Sequence, residues 1–274
     1  MGGRTFSGNI IVEAALRLGI FVGVFVVIGI LEYVLPKRPK TNDWKQRWIT
    51  NFSILIIDII FLRVTIGAAA FLTAIYAQSH GWGLFGYLQW PFWLEAIISF
   101  LILDFAIYLQ HVVSHSLPVF WRLHQVHHAD LDVDLTTGTR FHPIEILVSM
   151  IYKAGLVAAL GVDPWVVIVF EAVLNGFAVF THGNVSLPEW LDRSLRYLVC
   201  TPDMHRVHHS IIPSETDTNF GFFLSIWDRF CGTMLHGPSK GQFGVELGLA
   251  ELRNPTDVTL WRILIMPFRF LAGR

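Results

Sequence analysis

The segment LGIFVGVFVVIGIL, residues 18–31, contains no charged side chain, and its apolar character continues to Leu35 with one interruption at Glu32. About 20 apolar residues in a helix are enough to cross the hydrocarbon core of a bilayer. The stretch is too long for a secretory signal peptide, and a basic segment follows it instead of a cleavage site of small residues. The sequence therefore predicts a membrane-spanning helix over about 18–35.

Further apolar stretches predict that the chain crosses the membrane repeatedly. They cover about 49–77, 92–110, 144–160 and 165–181. The last two are joined by GVDP, which is a turn signal, so a helical hairpin is expected there. Only 15% of the 274 residues are charged, whereas soluble domains carry about 25%. We predict an all-α fold, with one membrane domain over 1–274 and about four or five transmembrane or membrane-embedded helices.

The basic loop after the first stretch sets the expected orientation. PKRPKTNDWKQRW, residues 36–48, contains five Lys and Arg residues and one Asp, whereas the loop 78–91 contains neither Lys nor Arg. The positive-inside rule places 36–48 in the cytoplasm. Counting the spans from there brings 111–142, His182 and the more polar region after it to the same side. We therefore expect a histidine-rich cytoplasmic cap, with a catalytic histidine region over 104–236.

The C-terminal residues combine arginines with large apolar side chains. LWRILIMPFRFLAGR, at 260–274, is typical of a helix that lies in the headgroup layer of a membrane. We predict an interfacial segment over about 258–274. A short buried helix of the cap is the alternative.

Three histidine boxes carry the chemistry: HVVSH at 111–115, HQVHH at 124–128 and HRVHH at 205–209. Because residues three and four apart share one face of a helix, each H-x-x-H-H box presents three imidazoles on one turn. Neutral imidazole binds metals, and closely packed rings need a cation between them. His182, in FTHGN at the end of the last stretch, points to the same place. The candidate metal ligands are His111, His115, His124, His127, His128, His182, His205, His208 and His209.

Nine imidazoles are too many for one ion, because a zinc site takes three or four protein ligands. We therefore predict two ions with four or five nitrogens each. Imidazole suits zinc, copper, iron and nickel, so the ligands alone leave the metal open.

Other polar residues are candidates for supporting roles. Asp104 and Tyr108 continue the helical stripe of His111 and His115, and metal-bound histidines usually donate their second ring N–H to a carboxylate or carbonyl. We therefore predict that Asp104 and Tyr108 support the ligands. Substrate contact or support of the ligands is predicted for His142, Glu145, Asn184 and Asp228. His142 is also an alternative ligand.

Taken in order, five motifs resemble the fatty acid hydroxylase superfamily, which is also called the sterol desaturase family. They are DFAIYLQHVVSH (104–115), FWRLHQVHH (120–128), TRFHPIE (139–145), FTHGN (180–184) and PDMHRVHH (202–209). The resemblance runs from RWITN at 47–51 to WDRFCGT at 227–233, where Cys231 departs from the usual pattern. Only eight residues separate His115 from His124, which favours the hydroxylase branch over membrane acyl-CoA desaturases.

The resemblance implies a non-haem di-iron centre held by the nine histidines, in an integral membrane enzyme. Such an enzyme uses O2 and two electrons to hydroxylate or desaturate a lipid or sterol-like substrate. Zinc is expected to be able to replace iron in purified protein. The chain has no haem-attachment or GxGxxG sequence, so we expect an external electron donor, either a ferredoxin or a b-type cytochrome with its reductase.

Other functions remain open at this point. A zinc-dependent membrane lipid hydrolase or a metal-transport or metal-binding protein could use the same histidines, and a b-type haem protein is a further alternative. The formal net charge of −1 gives no basic surface for nucleic acid.

Overall fold

The computed structural model describes residues 10–269, and within them the chain is helical, with three isolated β-bridges and no strand. The α-helices are α1 (Ile10–Val34), α2 (Trp44–Thr65), α3 (Ala69–His80), α4 (Leu84–Leu88), α5 (Phe92–Ser116), α6 (Pro118–His128), α7 (Pro143–Leu160), α8 (Pro164–His182), α9 (Glu189–Leu195), α10 (Pro202–His208), α11 (Pro213–Thr216), α12 (Ile226–Cys231), α13 (Gly241–Gly244) and α14 (Leu260–Ile265). Short 3₁₀ helices cover Thr137–Thr139, Pro255–Val258 and Met266–Phe268. The all-α prediction is confirmed.

Five segments of the described chain are long and apolar enough to cross a membrane. They are Ala14–Val34, Trp44–Leu88, Phe92–Ser116, Pro143–Leu160 and Pro164–His182. The protein is therefore a multi-pass membrane protein.

The second of these segments is not one continuous helix. Its 45 residues would extend about 68 Å if straight, more than twice the hydrocarbon thickness. The chain breaks after α2, where the carbonyl of Leu62 accepts from the backbone N–H groups of Ile66 and Gly67. Gly67 has a φ of +58°, a left-handed conformation that ends the helix. The predicted stretch 49–77 is thus divided between α2 and α3.

Local sequence explains where the helices near the site begin. α7, α8 and α10 each start with a proline at the first helical position, which suits its fixed φ and missing N–H. Asp163 caps α8 by accepting from the N–H of Trp165, and Thr201 caps α10 by accepting from Met204. These prolines and capping side chains favour the start of a helix directly after each of these turns.

Several elements come together at each of the two ends of the helical bundle. At one end, the backbones of Gly83 and Gly161 touch, and a Cβ on Gly83 would lie 2.1 Å from the nitrogen of Gly161. This contact joins the turn before α4 to the turn between α7 and α8. At the other end lie the C-termini of α5 and α8 and the N-terminus of α7, together with α6 and α10, and there the histidines gather.

Small side chains let α3 pack closely in the bundle. Ala70 and Ala74 are buried with Leu103 of α5, Val157 of α7 and Phe170 of α8. Small residues at such contacts allow close approach of helices in a membrane.

An ionic cluster joins three of the spans. Glu171 of α8 pairs with both Lys153 of α7 and Arg17 of α1. A carboxylate inside a membrane protein is costly without such partners, so this cluster fixes the three helices relative to one another.

A second buried polar network joins the start of α2 to the loop after α6. Arg47 donates to both carboxylate oxygens of Asp130, at 2.6 and 2.9 Å, and to Asp134 at 3.0 Å. Asn51 bonds to Asp130, and Arg140 donates to the side-chain oxygen of Asn51. The cationic guanidinium of Arg47 holds the pKa of Asp130 below its usual range.

The C-terminal segment packs one face on the protein. Ile263 and Met266 are buried with Ile54 and Val126, whereas Trp261 and Phe268 are exposed. The segment therefore combines features of the predicted interfacial helix and of the buried alternative. Residues 270–274 of the predicted segment lie outside the described residues.

Candidate metal centre

The nine predicted histidines form two adjacent buried groups. The first group, called cluster A, consists of His111, His115, His124, His128 and His208. The second, called cluster B, consists of His127, His182, His205 and His209. In each cluster, the candidate ligand atoms all lie within 4.8 Å of one another.

Each H-x-x-H-H box contributes to both clusters. On α6, His124 and His128 are four residues apart and face cluster A, whereas His127 points to cluster B. On α10 the arrangement is reversed, because His205 and the following His209 face cluster B and His208 faces cluster A. Neighbouring residues on a helix diverge by about 100°, so one box can line two adjacent sites.

In cluster B, the hydrogen bonds at Nδ1 leave the inward nitrogens without protons. His182 donates from Nδ1 to the carbonyl of Ala178 at 2.6 Å, and His127 donates from Nδ1 to the carbonyl of Arg140 at 3.1 Å. A carbonyl only accepts, so Nε2 of both neutral rings carries a lone pair. These two Nε2 atoms are 3.0 Å apart, and Nε2 of His182 is also 3.1 Å from Nε2 of His205 and of His209.

Cluster A repeats this arrangement with carboxylates as well as carbonyls. Nδ1 of His111 donates to the carbonyl of Phe220 at 2.7 Å, and Nδ1 of His208 donates to that of Thr218 at 2.7 Å. His124 donates to Glu145 at 2.6 Å. Nε2 of His111 and Nε2 of His124 are 3.1 Å apart, again lone pair to lone pair.

His115 of cluster A has a carboxylate partner of its own. Its Nδ1 lies 3.1 Å from Asp217, whose side chain is 46% exposed. Acceptors on the outer side of these rings therefore orient ligands in both clusters.

Burial keeps the imidazoles in the form that binds metals. Burial, together with the neighbouring histidines, lowers the pKa of His127, His128, His205 and His209 well below the ordinary value. Both ring nitrogens of His128 are buried without a hydrogen-bond partner. A buried polar atom without a partner is costly, so this ring favours a ligand on one of its nitrogens.

The geometry fits a metal ion in each cluster. Lone pairs that face one another at 3.0–3.1 Å repel unless a cation lies between them. Two nitrogens each about 2.1 Å from an ion and about 90° apart would be about 3.0 Å from one another. The donors are imidazoles, which suit several transition metals.

Asp104 and Tyr108 have partners other than the histidine rings. Asp104 accepts from Nε1 of Trp227 at 2.8 Å and from the backbone of Leu224, and Tyr108 bonds to the hydroxyl of Thr233. Since the other oxygen of Asp104 has no partner, the expected bond from a ligand histidine to Asp104 is not present. These two residues instead hold the loop before α12 and the turn after it against α5.

The remaining predicted residues divide between the site and the scaffold. Glu145 contacts His124 directly, and Asp228 accepts from the backbone N–H groups of Phe220 and Gly221, which positions the carbonyl that His111 uses. His142 lies outside both clusters and caps α7 by accepting from Ile144. Asn184 bonds to the backbone of Arg38 at both ends of its amide.

The sequence does not predict several of the groups that orient the histidine ligands. Asp217 follows the four-residue helix α11, where no periodic pattern marks it. Backbone carbonyls such as that of Ala178 carry no sequence signal at all. Gly138 is an indirect sign of this carbonyl, because a Cβ at position 138 would lie 2.4 Å from the oxygen of Ala178.

Comparisons with known proteins bear on this centre. The sequence profile described as fatty acid hydroxylase matches residues 96–233, half of the chain and the part that holds all nine histidines. The ornithine lipid hydroxylase of Rhizobium tropici is 27% identical over 230 residues, 81% of this chain and 67% of that protein. No solved structure matches.

Two further relatives match larger or smaller parts of the chain. The alkylglycerol monooxygenase of Danio rerio is 30% identical over 269 residues, 93% of this chain and 53% of that protein. The cholesterol 25-hydroxylase of Rattus norvegicus is 26% identical over 146 residues, 53% of this chain and 48% of that protein. The chain thus spans about half the length of these two relatives and two thirds of the bacterial one.

Proposed function

The chain belongs to the fatty acid hydroxylase family, and from that premise we propose that it is a membrane monooxygenase that hydroxylates a C–H bond of a lipid. The reaction converts R–H, O2, two electrons and two protons into R–OH and water. Relatives named as hydroxylases and monooxygenases support the reaction class, and the substrates in their names are all lipids.

One observation carries the proposal: two adjacent sets of buried imidazoles, five and four in number, with lone pairs directed inward. We propose that each set holds one iron ion. Bound iron would supply the reductive activation of O2, which side chains alone cannot perform. Zinc is expected to be able to occupy the same nitrogens in purified protein.

The chain's own residues orient the ligands and keep water away. The carbonyls of Ala178, Arg140, Phe220 and Thr218 fix the tautomers of four rings. Aromatic rings cover the clusters: Phe141 stacks on His127 at 4.5 Å, and Phe222 lies 5.0 Å from His111. Such a dry apolar wall suits oxidation of an unactivated carbon, because it protects a reactive oxidant from bulk water.

We also propose that the centre faces the cytoplasm. The support is the set of cationic residues that follow α1, together with the absence of Lys and Arg from 78–91. A lipid would then enter laterally from the membrane. Electrons would come from a cytoplasmic ferredoxin, or from a b-type cytochrome with its reductase.

Isotope labelling tests the proposed reaction. Cells that express the chain and cells that express its His208→Ala variant are grown under ¹⁸O2, and their lipids are compared by mass spectrometry. The proposal predicts a lipid that gains one ¹⁸O only with the unmodified chain. A new double bond without ¹⁸O would show desaturation instead, and unchanged lipids in cells that contain the iron-loaded protein and a reductase would contradict oxygenase activity.

A further inference from the structure

Part of the cap presents large apolar side chains outward. Trp190, Tyr197, Leu198 and Phe230 are 70%, 71%, 59% and 84% exposed. They lie on α9, on the turn that follows it and on α12. We call these four residues the collar. An exposed group of this kind marks a contact surface for a partner or a membrane.

Hydrogen bonds hold the two parts of the collar together. Arg229 of α12 donates to the carbonyl of Tyr197 at 2.7 Å, and its guanidinium lies 5.2 Å from the centre of the Tyr197 ring. The hydroxyl of Ser225 donates to the carbonyl of Arg196, and Val199 pairs with Leu224. The collar is therefore a defined surface of the fold.

α12, which carries Phe230 of the collar, lies beside the middle of a membrane-spanning helix. The ring of Trp227, in α12, is 4.8 Å from that of Phe105, and its Nε1 donates to Asp104. Just before α12, Phe223 contacts Phe100 of α5 and Phe177 of α8. Asp104 is twelve residues from each end of α5, which corresponds to about 18 Å in either direction.

The length of α5 gives the depth of this contact. Its 25 residues extend about 37 Å, whereas the hydrocarbon core is about 30 Å thick. Phe92 and Trp93, exposed at its start, are typical of the membrane interface on the far side. Counted from them, the hydrocarbon ends near His111, and Asp104 lies about 10 Å inside it. The segment that contacts Asp104 is thus at membrane depth.

We propose that the collar is embedded in the lipid leaflet on the side of the metal centre, with phospholipid as its partner. Leu101 and Leu109 of α5 are exposed apolar residues as well. Tyrosine and tryptophan favour the boundary between acyl chains and headgroups, and the nearby Arg193 and Arg229 suit the headgroup layer. α9 and α12, with seven and six residues, are too short to cross a membrane, so they lie within one leaflet.

This inference rests on the membrane-spanning helices and not on the metal or the reaction. It places part of the chain between α8 and α14 inside the leaflet, although that region was expected to belong to a cytoplasmic cap. Lipid then borders the candidate centre on the side of α12.

A depth measurement with a spin label tests the proposal. The full chain has two cysteines, of which Cys200 is buried and Cys231 exposed. Two variants are made in the Cys231→Ser background: Phe230→Cys in the collar and, as the matched control, Lys240→Cys on the exposed part of the cap. Each carries a nitroxide and is reconstituted in phosphatidylcholine vesicles. Power saturation then compares collisions with O2, which concentrates in lipid, and with a water-soluble chromium oxalate complex.

The proposal predicts that the label at 230 collides severalfold more with O2 than with the chromium complex, and that the label at 240 shows the reverse. Equal metal content in both variants and the unmodified chain verifies that the fold is retained. If the label at 230 is as open to the chromium complex as the label at 240, the collar faces water and the proposal is overturned. A surface reserved for a partner protein would give that same overturning result in vesicles without other proteins.

Discussion

At the scale of single residues, the candidate centre depends on which nitrogen of each imidazole carries the proton. Acceptors at Nδ1 direct the lone pairs of His111, His124, His127, His182 and His208 inward. The buried Nδ1 atoms of His128, His205 and His209 have no such partner. The rings with acceptors are therefore already oriented for a metal, whereas these three are held by packing.

Removal of one imidazole should empty one cluster and leave the other. We expect His182→Ala to reduce the metal content from two ions per chain to about one through loss of cluster B, and His115→Ala to do the same through cluster A. Elemental analysis of purified protein measures this. His80→Ala, at the exposed C-terminal end of α3 and outside both clusters, is the control and should keep both ions. Loss of both ions in each single variant would mean that the two clusters do not bind independently.

Glu145, which accepts a hydrogen bond from His124, should raise the affinity of cluster A for its metal ion. Glu145→Gln keeps the size of the side chain and removes its charge, and loss of such a partner typically lowers metal affinity about 10–100-fold. Competition with a chelator of known affinity measures the change. The affinity of cluster B should stay constant, because His127 and His182 bond to carbonyls. An unchanged affinity of cluster A would show that the negative charge of Glu145 does not strengthen metal binding through His124.

At the scale of elements, α6 and α10 connect the two clusters, because each carries histidines of both. The nine candidates and their common end of the bundle followed from box spacing and from counting apolar stretches. The assignment of each histidine to its cluster did not, because it depends on how α6 is rotated relative to α10. The break at Gly67 was also missed, since hydropathy is continuous across a glycine that leaves the helical conformation.

The close contact between Gly138 and α8 should affect metal binding in cluster B. Gly138, in the 3₁₀ helix before α7, contacts the backbone of α8 at Ala178, whose carbonyl orients His182. We expect Gly138→Ala to displace this carbonyl, weaken metal binding in cluster B and destabilise the protein by about 1–3 kcal/mol. Thermal unfolding and metal content measure both effects.

Gly155 provides the matched control. It lies in α7, and a Cβ added there would meet nothing within 4 Å. Gly155→Ala should therefore keep both ions and change stability by at most about 1 kcal/mol. Equal behaviour of the two alanine variants would show that the contact at Gly138 has no role in the centre.

At the scale of the whole molecule, the two clusters join parts of the chain that are far apart in sequence. Cluster A draws on α5, α6 and α10, and cluster B on α6, α8 and α10. A bound ion therefore links three helices in each cluster. An ion that binds only the folded protein stabilises it in proportion to the logarithm of its concentration over Kd.

Removal of metal should consequently lower the melting temperature. At 100 times Kd, one ion contributes about 2.7 kcal/mol to the free energy of unfolding. We expect chelated protein in detergent to melt at a lower temperature and to recover on anaerobic addition of Fe²⁺. If chelation removes the metal and the melting temperature stays the same, the clusters do not link the helices as described.

The most direct test of the two-metal centre is the number of metal ions per chain. Protein loaded anaerobically with iron and freed of excess metal is analysed for iron and for protein by quantitative elemental and amino-acid analysis. Two buried imidazole clusters predict two ions per chain. One ion or none, in protein that remains folded, would contradict the two-metal centre on which the proposed oxygenase function depends.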